Sequence, residues 1–263
     1  MQLPFLRQRA QEILAELVAA LPPNKQQRVA GIPLIVDDTP GEVNAFAACS
    51  KSGKSAMAIT DGLLKIQAGL AQAQAHDELF GTRTVDAYIQ AVASGLRPNQ
   101  PVPLPNPSWF PYGGDPRVIA RQHQVFEEEV AFVLGHELGH HHLGHLPCTA
   151  GADPIGAGEA ARVLSSQVPL FNQPNEIGAD LTGTYNVLDA GRSRAARGGF
   201  AWTEAGGLLT MRFFGGLGQL TPATLLTAFE RSHPPPQLRT PIIQQAANTW
   251  RSTGGAPLPV PGF

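Results

Sequence analysis

Residues 136–140 read His136-Glu137-Leu138-Gly139-His140. On an α-helix, positions i and i+4 are about 400° apart, so the two imidazoles project from one side, one turn apart, and can share a metal ion. Glu137 lies about 100° round from His136, beside that ion. Two neutral imidazoles bind Zn²⁺ at about 2.0–2.1 Å, and a neighbouring carboxylate can take a proton from water that the metal polarises. This is the H-E-x-x-H arrangement, in which the glutamate serves as general base in peptide-bond hydrolysis.

A three-ligand site needs one more donor downstream. An all-histidine site would place Gly at 143 and His at 146, but both positions are leucine, and Gly144 and His145 stand one residue out of step. The other arrangement takes a Glu from a second helix, followed one turn later by an Asp. Glu176 and Asp180 have that spacing and share a helix face. Glu176 can reach the ion, and Asp180 can accept the distal N–H of a ligating histidine, which sets its tautomer. His141 and His142, about 100° and 200° round from His140, cannot face the same ion and are expected to be surface or packing residues. His145 is a poor fourth ligand at i+5, and His76 and His123 have no comparable context.

The positioning elements are mainly helical. Apolar spacing predicts an amphipathic helix over 5–21, ending at Pro22-Pro23, which packs on its own domain or docks a partner. Three β-like runs follow: 29–36, interrupted by Pro33 and so an edge strand, then 43–49 and 55–60 as a hairpin. Gly53-Lys54-Ser55 resembles the end of a phosphate-binding loop, but position 48 is Ala where that motif needs Gly. Helical patterns occupy about 61–75, 84–94, 118–146, 159–168, 175–189, 202–219, 222–231 and 242–251. The metal motif therefore sits in the second half of a long, mostly apolar helix. Residues 97–117 are proline-rich and carry Trp109, Phe110 and Tyr112; they form a long loop, either a lid or a pinned surface segment. The whole chain, 1–263, reads as a single domain, with an N-terminal helical segment to about residue 24, the 97–117 insertion and a loose tail over 252–263.

A net charge of −2 with a pI near 6.4 gives no electrostatic case for nucleic acid or anionic lipid. There is no run of about 18 apolar residues and no apolar h-region in the first twenty. As written, this predicts a soluble, cytoplasmic protein, or a periplasmic or secreted one if a leader precedes it. Cys49 and Cys148 are two free thiols, one bridge, or a thiol that approaches the metal; a bridge would point outside the cytoplasm.

Four separated segments resemble the gluzincin peptidases of the CAAX prenyl endopeptidase and HtpX type. They are Asn44-Ala45-Phe46-Ala47 with Gly62-Leu63-Leu64, His136 to His140 with His145, Glu176 with Ala179-Asp180, and His233-Pro234 with Arg239. The resemblance implies an α+β, mainly helical, zincin-like fold: a small sheet whose edge strand lies beside the metal helix and a second ligand helix. It implies one Zn²⁺ per chain on His136, His140 and Glu176, Glu137 as general base, and a protein or peptide substrate lying along Asn44–Ala47. His233 corresponds to the oxyanion-stabilising histidine, while Arg239 either assists it or holds its loop by an ion pair. The expected activity is that of a zinc endopeptidase. The competing expectation is a latent or non-hydrolytic zinc-stabilised binding or assembly factor, its cleft covered by the proline-rich loop.

Overall fold

The computed structural model describes residues 1–50, 53–148, 173–220 and 233–256. The expected loop over 149–158 and helices over 159–168 and 222–231 lie outside them, as does the tail beyond 256. The described residues form eight α-helices and one three-stranded mixed sheet. In chain order these are α1 (Leu3–Ala20), α2 (Pro23–Val29), β1 (Leu34–Asp37), β2 (Ala45–Cys49), β3 (Ser55–Thr60), α3 (Asp61–Phe80) and α4 (Thr84–Gly95). Then come α5 (Pro116–Leu143), α6 (Gln173–Ala196), α7 (Ala205–Leu220) and α8 (Pro236–Ser252). No helix among the described residues is long and apolar enough to cross a membrane.

Two boundaries differ from expectation for the same reason. Pro23 starts α2 instead of only stopping α1, because proline at the first helical position forgoes an N–H that has no partner there anyway. That takes residues up to Val29 out of the first strand, which shrinks to 34–37. β3 is central, pairing parallel with β1 and antiparallel with β2, so the expected 43–60 hairpin is present and β2 is an edge. Thr60 donates its N–H to Asn44 O, and Ser50 donates to Lys54 O. The even-numbered positions thus carry the ladder to β3, and Ala45, Ala47 and Cys49 turn their backbone groups to the open edge.

One hydrophobic cluster runs from Leu6 on α1 to Ile243 on α8. α1 belongs to it through Leu6, Ile13 and Leu17, so this helix packs on its own domain. Arg9 and Arg194 tie it down by ion pairs that share Glu127 and Glu16. The proline-rich loop is pinned as well. Tyr88 donates to Pro103 O, Val102 is buried, and Phe110 and Tyr112 pack around His76 of α3. Cys49 and Cys148 form a disulfide with Cα atoms 5.4 Å apart, joining the end of β2 to the segment after α5. It closes a separation of 99 residues; loop-closure entropy for a loop of that size is worth about 4.7 kcal/mol, against about 2–4 kcal/mol for a typical disulfide. Cys148→Ser, or reduction, is expected to lower the melting temperature accordingly; calorimetry with no change on reduction would exclude the link.

α5 also buries a carboxyl with nothing to answer it. Among the described residues neither oxygen of Glu129 has a hydrogen-bond partner, and burial raises its pKa well above the ordinary 4.5. An acid whose folded pKa is raised takes up a proton on folding, so its contribution to stability falls as pH rises above about 4.5. Glu129→Gln removes that cost. The variant should melt higher than the wild type at pH 7, by about 2–4 °C per kcal/mol recovered, and the two should converge toward pH 4. An equal or lower melting point at pH 7 would refute this account of Glu129.

Candidate metal centre and active site

The site depends on how closely α5 and α6 cross. Gly135 and Gly139 line one side of α5, facing Ala179 and Gly183 on α6. A Cβ on Gly183 would stand 2.8 Å from the backbone N of His136, and one on Gly139 would stand 3.2 Å from Ala179 Cα. The helices therefore meet backbone to backbone, and the residues flanking the seam, Glu176 and Asp180, reach across α5.

His136, Glu137, His140, Glu176 and Asp180 are all buried. The two Nε2 atoms of His136 and His140 are 3.1 Å apart. Glu176 Oε1 is 3.3 Å from His140 Nε2, and its Oε2 is 3.5 Å from His136 Nε2. Glu137 Oε2 accepts from the N–H of Ala47 on the β2 edge at 2.8 Å, while His233 Nε2 is 3.5 Å from Glu137 Oε1. The ligand atoms of His136, Glu137, His140 and His233 all fall within 4.8 Å of one another. The structure thus brings together every polar side chain named from the sequence except that of Asn44. Asn44 precedes β2 and is bound by its backbone to Thr60, with its side-chain oxygen buried.

A second layer holds the imidazoles. His136 Nδ1 donates to Asp180 Oδ1 at 2.9 Å, which turns Nε2 toward His140. Arg239 clamps the same carboxylate with two bonds, Nε to Oδ2 at 2.9 Å and Nη2 to Oδ1 at 2.6 Å. Of the two readings of Arg239, the geometry is that of an ion pair: its guanidinium lies on Asp180, itself fully buried. His145, dismissed as a ligand, has its Nδ1 3.0 Å from His140 Nδ1. The local cause is Gly144, which ends α5 with φ 76 and lets the His145 N–H return to His140 O. The signal was present in sequence as a Gly-His pair directly after the helical run. His141 and His142 face elsewhere; His141 donates Nε2–H to Ala56 O of β3.

Charge in this cluster is closely balanced. Burial opposes ionisation of Glu176, but the two imidazoles hold it well below the ordinary carboxylate range. Burial likewise opposes Asp180, which Arg239 and His136 bring down to about 2. Burial and Arg239 disfavour a charged His136, yet Asp180 and Glu176 lift it to about 9. Carboxylates that draw a proton onto a fully buried imidazole create a field suited to positive charge.

A sheet edge beside a His-Glu-x-x-His helix, crossed by a helix bearing Glu and Asp, defines a metallopeptidase of the gluzincin type. Residues 6–247 match the model of Peptidase family M48, and the chain belongs to that family. Membership implies metal-dependent hydrolysis of peptide bonds, with a protein or peptide as substrate. Neither the curated proteins nor the solved structures hold a significant match to the chain.

The crossing makes a sharp expectation. Gly183→Ala places a methyl against the α5 backbone, which must shift. It should lower metal affinity at least tenfold in a competition titration with a chromogenic chelator, whereas Gly114→Ala, at an exposed position with no described neighbour within 4 Å, should not. Wild-type affinity in Gly183→Ala would show that the close approach does not set the site.

Proposed function

We propose that the chain is a zinc-dependent endopeptidase in which His136, His140 and Glu176 hold the metal. One observation carries the reading. Two Zn–N bonds of about 2.0–2.1 Å at a tetrahedral angle put their nitrogens about 3.3 Å apart. The three donor separations are 3.1, 3.3 and 3.5 Å. Glu176 Oε2 and Glu137 Oε1 are moreover buried without a hydrogen-bond partner, as oxygens facing a metal site would be. The donor set, two nitrogens and a carboxylate, suits zinc.

When bound, the metal supplies Lewis-acid polarisation of the scissile carbonyl and makes water a nucleophile near neutral pH. The chain supplies the rest. Glu137 takes the water's proton on Oε1 and delivers it to the leaving amine. Burial raises its proton affinity, but His233 and the imidazoles keep it below the ordinary value, so it starts as the base. The Ala47 N–H fixes the other oxygen and aims the carboxylate. His233 donates to the developing oxyanion. Asp180 and His145 set the tautomers of His136 and His140, and Arg239 acts through Asp180. An extended peptide adds to the open edge of β2, using the outward carbonyls of Ala45 and Ala47.

The whole chain acts as one domain, as the continuous core from Leu6 to Ile243 supports. The Cys49–Cys148 bridge favours an oxidising compartment. A latent or non-hydrolytic role has less support. The proline-rich loop turns its aromatics onto α3, both cysteines are occupied by each other, and His141 is committed to Ala56.

Glu137→Gln is expected to retain one zinc per chain by elemental analysis while cutting casein or peptide cleavage by roughly 10²–10⁴-fold. His233→Ala should lower kcat by roughly 10²–10³-fold with little change in KM. Undiminished cleavage by purified Glu137→Gln would overturn the assignment.

A further inference from the structure

A cavity of about 270 Å³ opens directly beside His233. Phe214 and Gly215 of α7 form one wall; His233, Pro234 and Pro236 form the other, and Gln237 lies at its exposed rim. Among the described lining residues the only formal charge is that of Arg239, which is paired with Asp180. The cavity is smaller than the roughly 300–1,000 Å³ of sites that enclose a whole small ligand. It is the size for one side chain.

The glycines of α7 point the same way. Gly206, Gly207 and Gly216 have no room for a methyl: a Cβ would stand 2.2 Å from Glu128, 2.5 Å from Phe132 and 2.9 Å from Ile89, respectively. Gly215 is different. Among the described residues, nothing lies closer to its would-be Cβ than Pro236 at 3.7 Å, an ordinary contact. Packing does not ask for glycine there, and glycine inside a helix is unfavourable relative to alanine. What a side chain at 215 would do is enter the cavity.

We infer that this cavity is the specificity pocket of the enzyme, taking a medium-sized apolar side chain, such as leucine, from a substrate residue flanking the scissile bond, with Gly215 setting its depth. The inference rests on the endopeptidase reading for its placement. His233 is at once a wall of the cavity and 3.5 Å from the Glu137 carboxylate, so one side chain separates the cavity from the proposed general base. The apolar walls reward burial of each added methylene, and the lack of an unpaired charge gives an acidic or basic side chain no partner.

The test uses the full chain loaded with zinc and two measurements. In the first, wild type, Gly215→Ala and Gly215→Leu cleave a peptide library. Wild type should prefer leucine-like over alanine residues at one flanking position by at least tenfold in kcat/KM. Gly215→Leu should reverse that order, and Gly215→Ala should fall between. In the second, matched leucine and alanine peptides are titrated into Glu137→Gln with and without Gly215→Leu. The leucine peptide should bind at least tenfold tighter, and only when Gly215 is present. A leucine preference unchanged in both Gly215 variants would overturn the pocket and leave the peptidase standing. No cleavage by wild type with the binding difference intact would overturn the peptidase reading and leave the pocket. If Gly215→Leu fails to fold, the Gly215→Ala profile decides.

Discussion

The close crossing of α5 and α6 is the constraint from which the rest follows. Helices pack with axes about 8–10 Å apart when ordinary side chains separate them. Gly135, Gly139, Ala179 and Gly183 remove those side chains at the crossing, and the backbones touch. Only then can a residue as short as Glu176 bring its carboxylate within 3.5 Å of both imidazoles. The same glycine that makes the fourth letter of the H-E-L-G-H run is therefore part of the joint that brings Glu176 to the two histidines.

Charge follows from that joint. Packing α5 on α6 buries two carboxylates and two imidazoles together, an arrangement unstable unless every charge is answered. Asp180 is answered twice, by Arg239 and by the His136 N–H. Among the described residues, Glu176 is answered by the imidazoles of His136, His140 and His233, and its Oε2 is left without a hydrogen bond. Removing one partner from such a cluster is strongly destabilising because the other charge stays buried. A cation held on the proposed ligands would relieve that cost.

The sheet adds direction. β2 is bonded to β3 on one side only, and its alternate backbone groups face the metal helix. Ala47 spends its outward N–H on Glu137. The disulfide anchors the far end of the same strand to the segment after α5, with His141 on Ala56 O bracing the neighbouring strand. Edge strands are otherwise prone to move or to pair indiscriminately. Here three separate contacts from the α5 side hold the sheet against Glu137 and the two histidines.

Spacing along one helix is local physics, so the sequence alone determined much. The i, i+4 pairs His136/His140 and Glu176/Asp180 follow from 3.6 residues per turn, as does the failure of His141 and His142 to face the same point. The hairpin and the mainly helical character were likewise legible in apolar periodicity. What spacing cannot carry is distance between elements. That α6 lies against α5, that Arg239 serves Asp180, that Cys49 meets Cys148 and that the aromatics of the proline-rich loop settle on His76 all depend on packing of segments tens of residues apart. Pro23 and Gly144 were missed for a subtler reason. Each residue's local preference permits two outcomes, a break or a start, a stop or a return, and the tertiary neighbours of α2 and of His145 chose between them.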